Sequence, residues 1–169
     1  VEIIIVDNGS TDGSKNYLEY NKKLFPKIKF VRVKKNFGYG YGIKYGLKFA
    51  TGKIISWTHA DLQFDINDII KFFQKNNNLI INQNLVIKGR RQNRTFLDVF
   101  FTNGMSIIVN FIFNTKLKDI NGQPKMFNRK LIKNILKLGP NDFSIDLFLL
   151  LLALKNNLII NEFPLKVKN

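Results

Sequence analysis

Four short polar segments of this 169-residue chain hold residue types that could bind a charged ligand. They are Asp7–Asp12, Asn36–Gly42, His59–Gln63 and Lys88–Arg94. Each follows closely on an apolar stretch that is typical of a β-strand. Since strands alternate with predicted helices, the sheet should be mostly parallel, and the carboxyl ends of its strands should meet at one edge. We therefore expect the four segments to form one site that combines carboxylates, glycines and arginines.

The third segment indicates a hard divalent cation. Asp61 follows a predicted strand at Lys53–Thr58, and Gln63 offers a second oxygen two residues later. Mg²⁺ and Mn²⁺ take such oxygen ligands and can bridge a protein to phosphate groups. An isolated Asp-x-Gln pair carries little weight without its context.

The first two segments each allow a functional and a structural interpretation. Asp7 ends the first strand and could accept hydrogen bonds from a nucleobase or ribose, whereas turn formation and helix capping suit Ser10 and Asp12. Gly38 and the glycines that alternate after it do not match a dinucleotide-binding fingerprint. They allow either a close ligand approach or close helix packing.

The fourth segment carries Arg91 and Arg94, whose guanidinium groups could clamp phosphates. A solvated surface face explains them equally well when they are taken alone. The wider composition favours an anionic partner, because 27 Lys and Arg side chains stand against 12 Asp and Glu, a net charge of +15. Nucleic acid, nucleotide phosphates and an anionic membrane surface all fit this charge, and so does a compositional bias without specific meaning.

The counts of Cys and His exclude several kinds of site. The chain has no Cys, which rules out a disulfide scaffold, Cys-ligated zinc and thiol catalysis. Its single His, His59, rules out a site that needs two imidazoles.

Apolar residues predict a buried core and leave one helix open to two interpretations. The longest uninterrupted apolar run, Leu147–Leu154, is shorter than the roughly 18–20 residues that cross a bilayer, so we expect no membrane span. Residues 95–113 predict a long helix that either packs in the core, the more frequent case, or touches lipid. The apolar residues in question are Phe96, Phe100, Phe101, Ile107, Ile108 and Phe111.

The pattern as a whole predicts one three-layer α/β domain over residues 1–169, with a mostly parallel sheet. Further helices are predicted at Ser14–Leu24, from Gly42 to about Ala50, and at Ile66–Lys75, Arg129–Leu138 and Asp142–Lys155. Further strands are predicted at Val1–Val6, Ile28–Val33, Leu85–Ile87 and Leu158–Ile160, with loops at Asn76–Asn78 and Asp119–Pro124.

Taken in order, these segments resemble a family 2 glycosyltransferase with a GT-A fold. Residues 2–14 are similar to the family's nucleotide-binding signature, and His59–Gln63 stands where the family carries its Asp-x-Asp motif. Lys88–Arg91, Asp119–Lys125 and Glu162–Pro164 resemble the polyprenyl-phosphate branch, which includes dolichyl-phosphate mannose synthases.

The resemblance implies transfer of a sugar from a UDP- or GDP-sugar to an acceptor, in this branch commonly a polyprenyl phosphate, with inversion. It implies a Mg²⁺ or Mn²⁺ cofactor and an enzyme that is peripheral at the cytoplasmic, anionic face of a membrane, with no nucleic acid as partner. By carry-over, Asp7, Gly38, His59 and Asp61 would bind the nucleotide sugar, and Asp61 with Gln63 would hold the metal. Arg91 and Arg94 would bind phosphate, and the catalytic set would be Asp61, Asp119 and Arg91.

Two departures from the family pattern keep alternatives open. His59 replaces the leading Asp of Asp-x-Asp, and the family has an earlier strand before the one that opens this sequence. We therefore expect a domain truncated at its N-terminus. The alternatives are an inactive or truncated family member and a basic nucleic-acid-binding module, which the charge and the interleaved aromatic residues motivate.

Overall fold

The computed structural model describes residues 1–61, 64–82 and 84–167 of an α/β chain. The strands are β1 (Ile3–Asp7), β2 (Ile28–Arg32), β3 (Ile54–Trp57), β4 (Leu85–Gln92), β5 (Lys125–Asn128) and β6 (Ile159–Lys166). The helices are α1 (Ser14–Leu24), α2 (Tyr39–Leu47), α3 (Ile66–Asn82), α4 (Phe96–Phe113), α5 (Ile132–Leu138) and α6 (Ile145–Lys155), and a 3₁₀ turn at Arg129–Leu131 precedes α5. By their contacts the residues form two compact units, Val1–Ile55 with Arg129–Leu149, and Ser56–Asn128 with Leu150–Asn169.

The first unit contains a two-stranded parallel sheet. β1 and β2 pair in register from Ile3 opposite Ile28 to Asp7 opposite Arg32. The bounds of the intervening helix α1 are as predicted. Of the three residues expected to face inward, Leu18 is half-buried, but Tyr17 and Leu24 are 68% and 56% exposed, so the prediction is wrong for those two. Pairing of β1 with β2 therefore places Asp7 and Arg32 side by side at the strand ends.

Helix α2 packs closely on β1, and its glycines make this possible. It begins at Tyr39, earlier than the predicted start at Gly42, so the second polar segment enters the helix. A Cβ at Gly46 would lie 2.7 Å from Cγ2 of Val6, a distance that side chains do not tolerate. Close helix packing, one of the two interpretations of these glycines, is therefore confirmed for Gly46.

A four-stranded sheet has the order β3-β5-β4-β6. β4 runs parallel to β6 and antiparallel to β5. In the second unit, the side chains that form the core around this sheet are at most 2% exposed. These include Phe72, Leu85, Val86, Ile87, Met126 and Phe127.

Several sequence predictions differ from the structure in this unit. The last strand, β6, continues to Lys166, beyond its predicted end at Ile160. β4 continues to Gln92, so Lys88–Arg91 lie within the strand, because β6 supplies backbone partners along its whole length, from Leu85 opposite Ile159 to Gln92 opposite Lys166. The predicted loop at Asn76–Asn78 is part of α3. β5 was missed, because a four-residue strand carries too little pattern to be recognised without its partner β4.

Helix α4 confirms the long helix predicted at residues 95–113. By length and composition it is the one helix among the described residues that could cross a membrane, with a mean hydropathy of 1.6 and only 11% of its residues buried. The criterion of an uninterrupted apolar run missed it, since polar residues such as Asp98 and Asn110 interrupt the sequence. The more frequent interpretation, a core helix, is wrong for α4.

Candidate functional site

The first and second polar segments meet in the first unit. The side-chain amide of Asn8 donates to Oδ1 of Asn36 at 3.3 Å and to the carbonyl of Gly38 at 3.0 Å. Gly9 adopts a φ of 77°, and a Cβ there would lie 2.5 Å from the backbone nitrogen of Asn36. The sequence expectation that these segments converge therefore holds for this pair.

Asp7 is almost completely buried and is fully engaged within its own unit. Its side chain is 1% exposed, Oδ1 accepts the N–H of Ser10 at 2.9 Å, and Oδ2 pairs with the guanidinium of Arg32. Arg32 also donates to the carbonyl of Ser10 at 2.8 Å. The structure thus assigns Asp7 a role in shaping the loop after β1.

Sequence reasoning missed Arg32, although a signal existed. Asp7 and Arg32 each end an apolar strand, and a βαβ unit places such strands in parallel. Aligning the two strand ends would have brought the opposite charges together.

Asp12 and Gly38 have local structural roles. Oδ1 of Asp12 accepts the N–H of Ser14 at 2.9 Å, and the Ser14 side chain and backbone hold the pKa of Asp12 below its usual value. Gly38 has a φ of 109°, and a Cβ there would lie 2.3 Å from the carbonyl oxygen of Asn141. Glycine is therefore required at position 38 by the backbone itself.

His59 and Asp61 follow β3 in the second unit. His59 is half-buried and Asp61 is exposed, while Gln63 lies outside the described residues. Over residues 1–61, 64–82 and 84–167 no group of three or more His, Asp or Glu side chains could hold a metal ion. One accessible carboxylate suits a Mg²⁺ or Mn²⁺ ion whose other ligands are phosphates and waters, because Mg²⁺ usually binds through only one or two carboxylates.

Asp119 and Arg91 form an ion pair that several hydrogen bonds reinforce. The backbone N–H of Arg91 donates to Oδ2 of Asp119 at 2.9 Å, and Nε of Arg91 donates to Oδ1 at 3.0 Å. Nη2 of Arg91 donates to Oδ1 as well. Burial alone would raise the pKa of Asp119, but these hydrogen bonds and the charges of Arg91 and Lys88 outweigh it and hold that pKa below the usual value.

Arg94 lies beside the same carboxylate and also bonds to the first turn of α4. Its side chain is 12% exposed, and its Nη1 lies 3.8 Å from Oδ1 of Asp119. Its Nη2 donates to the carbonyl of Asp98 at 3.1 Å. Burial, and next the charge of Arg91, lower the pKa of Arg94. Arg91 and Arg94 thus both lie beside the carboxylate of Asp119, and the negative charge of Asp98 also acts on Arg94.

Two buried lysines support the Asp119–Pro124 loop, and sequence reasoning missed both. Lys88 donates to the carbonyl of Asp119 at 3.1 Å and pairs with Glu162 at 3.0 Å. Lys125, which is 0% exposed, donates to the carbonyl of Gly122 at 2.8 Å and to that of Ile120. The available signal was a lysine beside otherwise apolar strand residues at each position.

The α/β fold of the chain is that of the GT-A class of glycosyltransferases. Glucosyl-3-phosphoglycerate synthase of Mycobacterium tuberculosis, solved with Mn²⁺, UDP and glucosyl-3-phosphoglycerate, matches with a TM-score of 0.73 at 15% identity over 99% of this chain and 60% of its own. A mannosyltransferase of Pyrobaculum calidifontis, solved with GDP-Man and Mn²⁺, matches with a TM-score of 0.63 at 16% identity over 98% of this chain and 47% of its own. At these identities the two structures establish the shared fold.

The sequence match identifies the family. Residues 1–136 match glycosyl transferase family 2, and the chain belongs to this family. It is 29% identical to a dolichyl-phosphate beta-glucosyltransferase of Dictyostelium discoideum, over 95% of this chain and 53% of the relative. It is 25% identical to a dodecaprenyl-phosphate galacturonate synthase of Rhizobium johnstonii, over 82% of this chain and 41% of the relative. The chain thus spans about half the length of these relatives.

Proposed function

We propose that the chain transfers a sugar from a UDP- or GDP-sugar to a polyprenyl phosphate, with inversion at the anomeric carbon. Family membership supports sugar transfer, and the names of two relatives, which act on dolichyl phosphate and dodecaprenyl phosphate, support the acceptor class. The observation that carries the proposal is the pair Arg91 and Arg94 sharing the single carboxylate of Asp119. Guanidinium pairs of this kind bind phosphate through several parallel hydrogen bonds.

In this proposal Arg91 and Arg94 engage the phosphate of the donor or acceptor, and Asp119 fixes the direction of the Arg91 guanidinium. Asp61, with Gln63, would hold a Mg²⁺ or Mn²⁺ ion on the donor diphosphate, where its charge stabilises the departing nucleoside diphosphate. A phosphate acceptor is already anionic, so the reaction needs no strong general base. Alignment of the reactants and stabilisation of the leaving group would supply the catalysis.

Carried over from the family pattern, Asp7 and Gly38 in the first unit, and His59 and Asp61 in the second, stay the predicted nucleotide-sugar-binding residues. Because both oxygens of Asp7 already accept hydrogen bonds, a nucleobase would have to share them with Ser10 and Arg32. Contact of Asp7 with the nucleobase therefore stays a prediction. A neutral imidazole at His59 could hydrogen-bond a ribose, and it brings less negative charge than the Asp of the family motif.

The lipid acceptor and the net charge of +15 suggest a place at an anionic membrane. We propose a peripheral location at the cytoplasmic face, where nucleotide sugar and lipid phosphate would both be accessible.

A ligand panel monitored by thermal unfolding tests this proposal. UDP, GDP, their sugars and a short single-stranded DNA are each compared with Mn²⁺ and with EDTA. A ligand that binds only the folded state stabilises it by about 2.7 kcal/mol at 100 times its Kd. A shift with one nucleotide that EDTA removes would support a metal-assisted transferase, whereas a shift with DNA alone would favour the nucleic-acid module.

Two variants separate the metal proposal from a general loss of folding. Asp61→Asn should remove most of the Mn²⁺-dependent shift, and Asp68→Asn, in the first turn of α3, should not change it. Nucleotide binding by Asp61→Asn with unchanged Mn²⁺ dependence would contradict the metal assignment. A gain in sugar transfer on His59→Asp would support the alternative of a weakened family member.

A further inference from the structure

A surface helix usually turns its apolar side chains toward the protein, but helix α4 turns most of them toward solvent. Large apolar side chains that are at least 38% exposed occupy 11 of its 18 positions. They are Phe96, Leu97, Val99, Phe100, Phe101, Met105, Ile107, Ile108, Phe111, Ile112 and Phe113. Contiguous apolar surface of this extent marks an interaction site, because monomeric soluble proteins rarely leave it in water.

The side of α4 that faces the protein is narrow and mostly polar or small. Ser106 and Val109 are buried, and Thr102 and Asn110 are half-buried, at the helical spacing of one stripe. The side chain of Asn110 fastens the following loop: its amide donates to the carbonyl of Leu117 at 2.9 Å, and its Oδ1 accepts the N–H of Leu117 at 2.8 Å. The helix is therefore fixed to its unit through one stripe and presents its apolar residues outward.

The topology argues that α4 does not cross a membrane. It leaves β4 and returns to β5, and these strands are adjacent in one sheet, with Ile87 opposite Met126. Crossing would put the two ends of an 18-residue helix, about 27 Å long, on opposite sides of the bilayer. The short connection between α4 and β5 would then have to return through lipid with its backbone groups unpaired, which is prohibitively costly.

Charge favours an anionic surface as the occupant. Asp98 is the single charged residue within α4, but basic residues stand on either side of it in sequence, with Arg90 exposed on the N-terminal side and Lys116 and Lys118 exposed on the C-terminal side. Beyond Phe113 the apolar surface continues into a cavity of about 790 Å³, whose lining includes Lys116, Lys118 and Leu154. A second copy of the chain is a poorer occupant, because its net charge of +15 would oppose close approach.

We propose that α4 lies in the plane of an anionic membrane, with its apolar side among the lipid acyl chains and the flanking lysines and arginine at the phosphate level. The binding of a helix in this plane strengthens with the apolar area that it buries and with the attraction of nearby basic residues to anionic lipids. This inference deepens the proposed function by naming the surface at which the enzyme meets a lipid acceptor. It rests on the proposed function only for the identity of that acceptor.

Vesicle flotation tests the docking without nucleotide or sugar. The chain should float with vesicles of phosphatidylcholine and phosphatidylglycerol, and much less with phosphatidylcholine alone. Phe111→Asp should lower the partition coefficient by about tenfold or more, since burying a Phe side chain contributes about 1.5–3 kcal/mol. Leu138→Asp, which alters a residue 63% exposed in α5, is the matched control and should float like the wild type.

The orientation has its own test, which uses the absence of Cys. Leu97→Cys, Ile108→Cys and Ile112→Cys lie on one face of α4, since they are separated by nearly whole helical turns. Spin labels at the three positions should report the same depth in vesicles. A steady change in depth from one end to the other would show a spanning helix and overturn the in-plane arrangement.

Other outcomes would overturn the membrane assignment itself. Failure of the wild type to float, or equal flotation of Phe111→Asp and Leu138→Asp, would refute it. A concentration-dependent dimer that Phe111→Asp abolishes, without vesicle binding, would identify a second copy as the occupant. Flotation without sugar transfer would leave the docking intact and count against the proposed enzyme, so the two failures are distinguishable.

Discussion

Replacing Asp119 by Asn should destabilise the chain substantially, because it leaves the partly buried Arg91 without a compensating charge. The two side chains are 11% and 19% exposed, and the carboxylate accepts hydrogen bonds from both the backbone and the guanidinium of Arg91. Breaking a fully buried pair by removing one partner costs about 3–5 kcal/mol. Since this pair retains some solvent and Asn keeps one acceptor oxygen, we expect a loss of about 2–3 kcal/mol.

Urea unfolding followed by Trp57 fluorescence measures this loss, because the chain has a single Trp and it is buried in the second unit. At this chain length the same change should lower Tm by about 5–10 °C. Glu19→Gln, on the exposed surface of α1, is the control and should change stability little. A double-mutant cycle with Arg91→Met isolates the pair, and the two single losses should not add.

The pH dependence of this effect has a definite sign. The pKa of Asp119 in the folded chain lies below its usual value, so the pair contributes stability above the unfolded pKa, about 3.9. That contribution is lost as the pH falls through the folded pKa, and the difference between wild type and Asp119→Asn should then shrink. A loss below about 0.5 kcal/mol at neutral pH, which is the size of an ordinary surface substitution, would refute the reasoning, and so would strict additivity in the cycle.

Three further predictions concern the same chain. Gly89→Ala should destabilise by about 2–3 kcal/mol or prevent folding, because a Cβ there would lie 1.8 Å from the carbonyl oxygen of Gln123; circular dichroism and urea unfolding measure this. Lys125→Met should cost about 2–4 kcal/mol in urea unfolding, because it leaves two buried loop carbonyls without their donor, and a neutral result would contradict that bonding. A hydrogen bond from the backbone N–H of Thr51, together with the other hydrogen bonds that Glu2 accepts, lowers the pKa of Glu2 to about 2. The stabilisation that Glu2 contributes should therefore be present above about pH 4.5 and lost as the pH falls to about 2. Glu2→Gln should flatten this part of the profile of stability against pH.

The sequence was sufficient for features that depend on local pattern. Helix α1 has its predicted bounds, which followed from the turn residues before it and from Pro26 after it. The α/β class followed from apolar strands that alternate with helices, and it is confirmed. The resemblance to family 2 glycosyltransferases rested on the order of motifs such as residues 2–14 and His59–Gln63, and it is confirmed as well. The meeting of Asn8 with Gly38 followed from the parallel order of β1 and β2.

Features that depend on which strands pair could not be read from the sequence. The polar half of β4, which contains Arg90 and Arg91, forms a strand because β6 lies beside it. β5 exists because its four residues pair with β4, and this pairing brings Asp119 to Arg91, 28 positions earlier in the chain. No periodicity within either segment indicates such a partner.

Helix α4 shows most clearly which properties the sequence determines and which depend on tertiary structure. Its sequence determined a long apolar helix, and that property is the same whether the helix is in a core or on a surface. Tertiary structure alone decided which stripe faces the protein, because burial depends on the neighbours that β4, β5 and the Asn110 contacts provide. Local propensity therefore determined the helices and most of the strands, while long-range pairing determined the position of Arg91 beside Asp119 and the outward apolar face of α4.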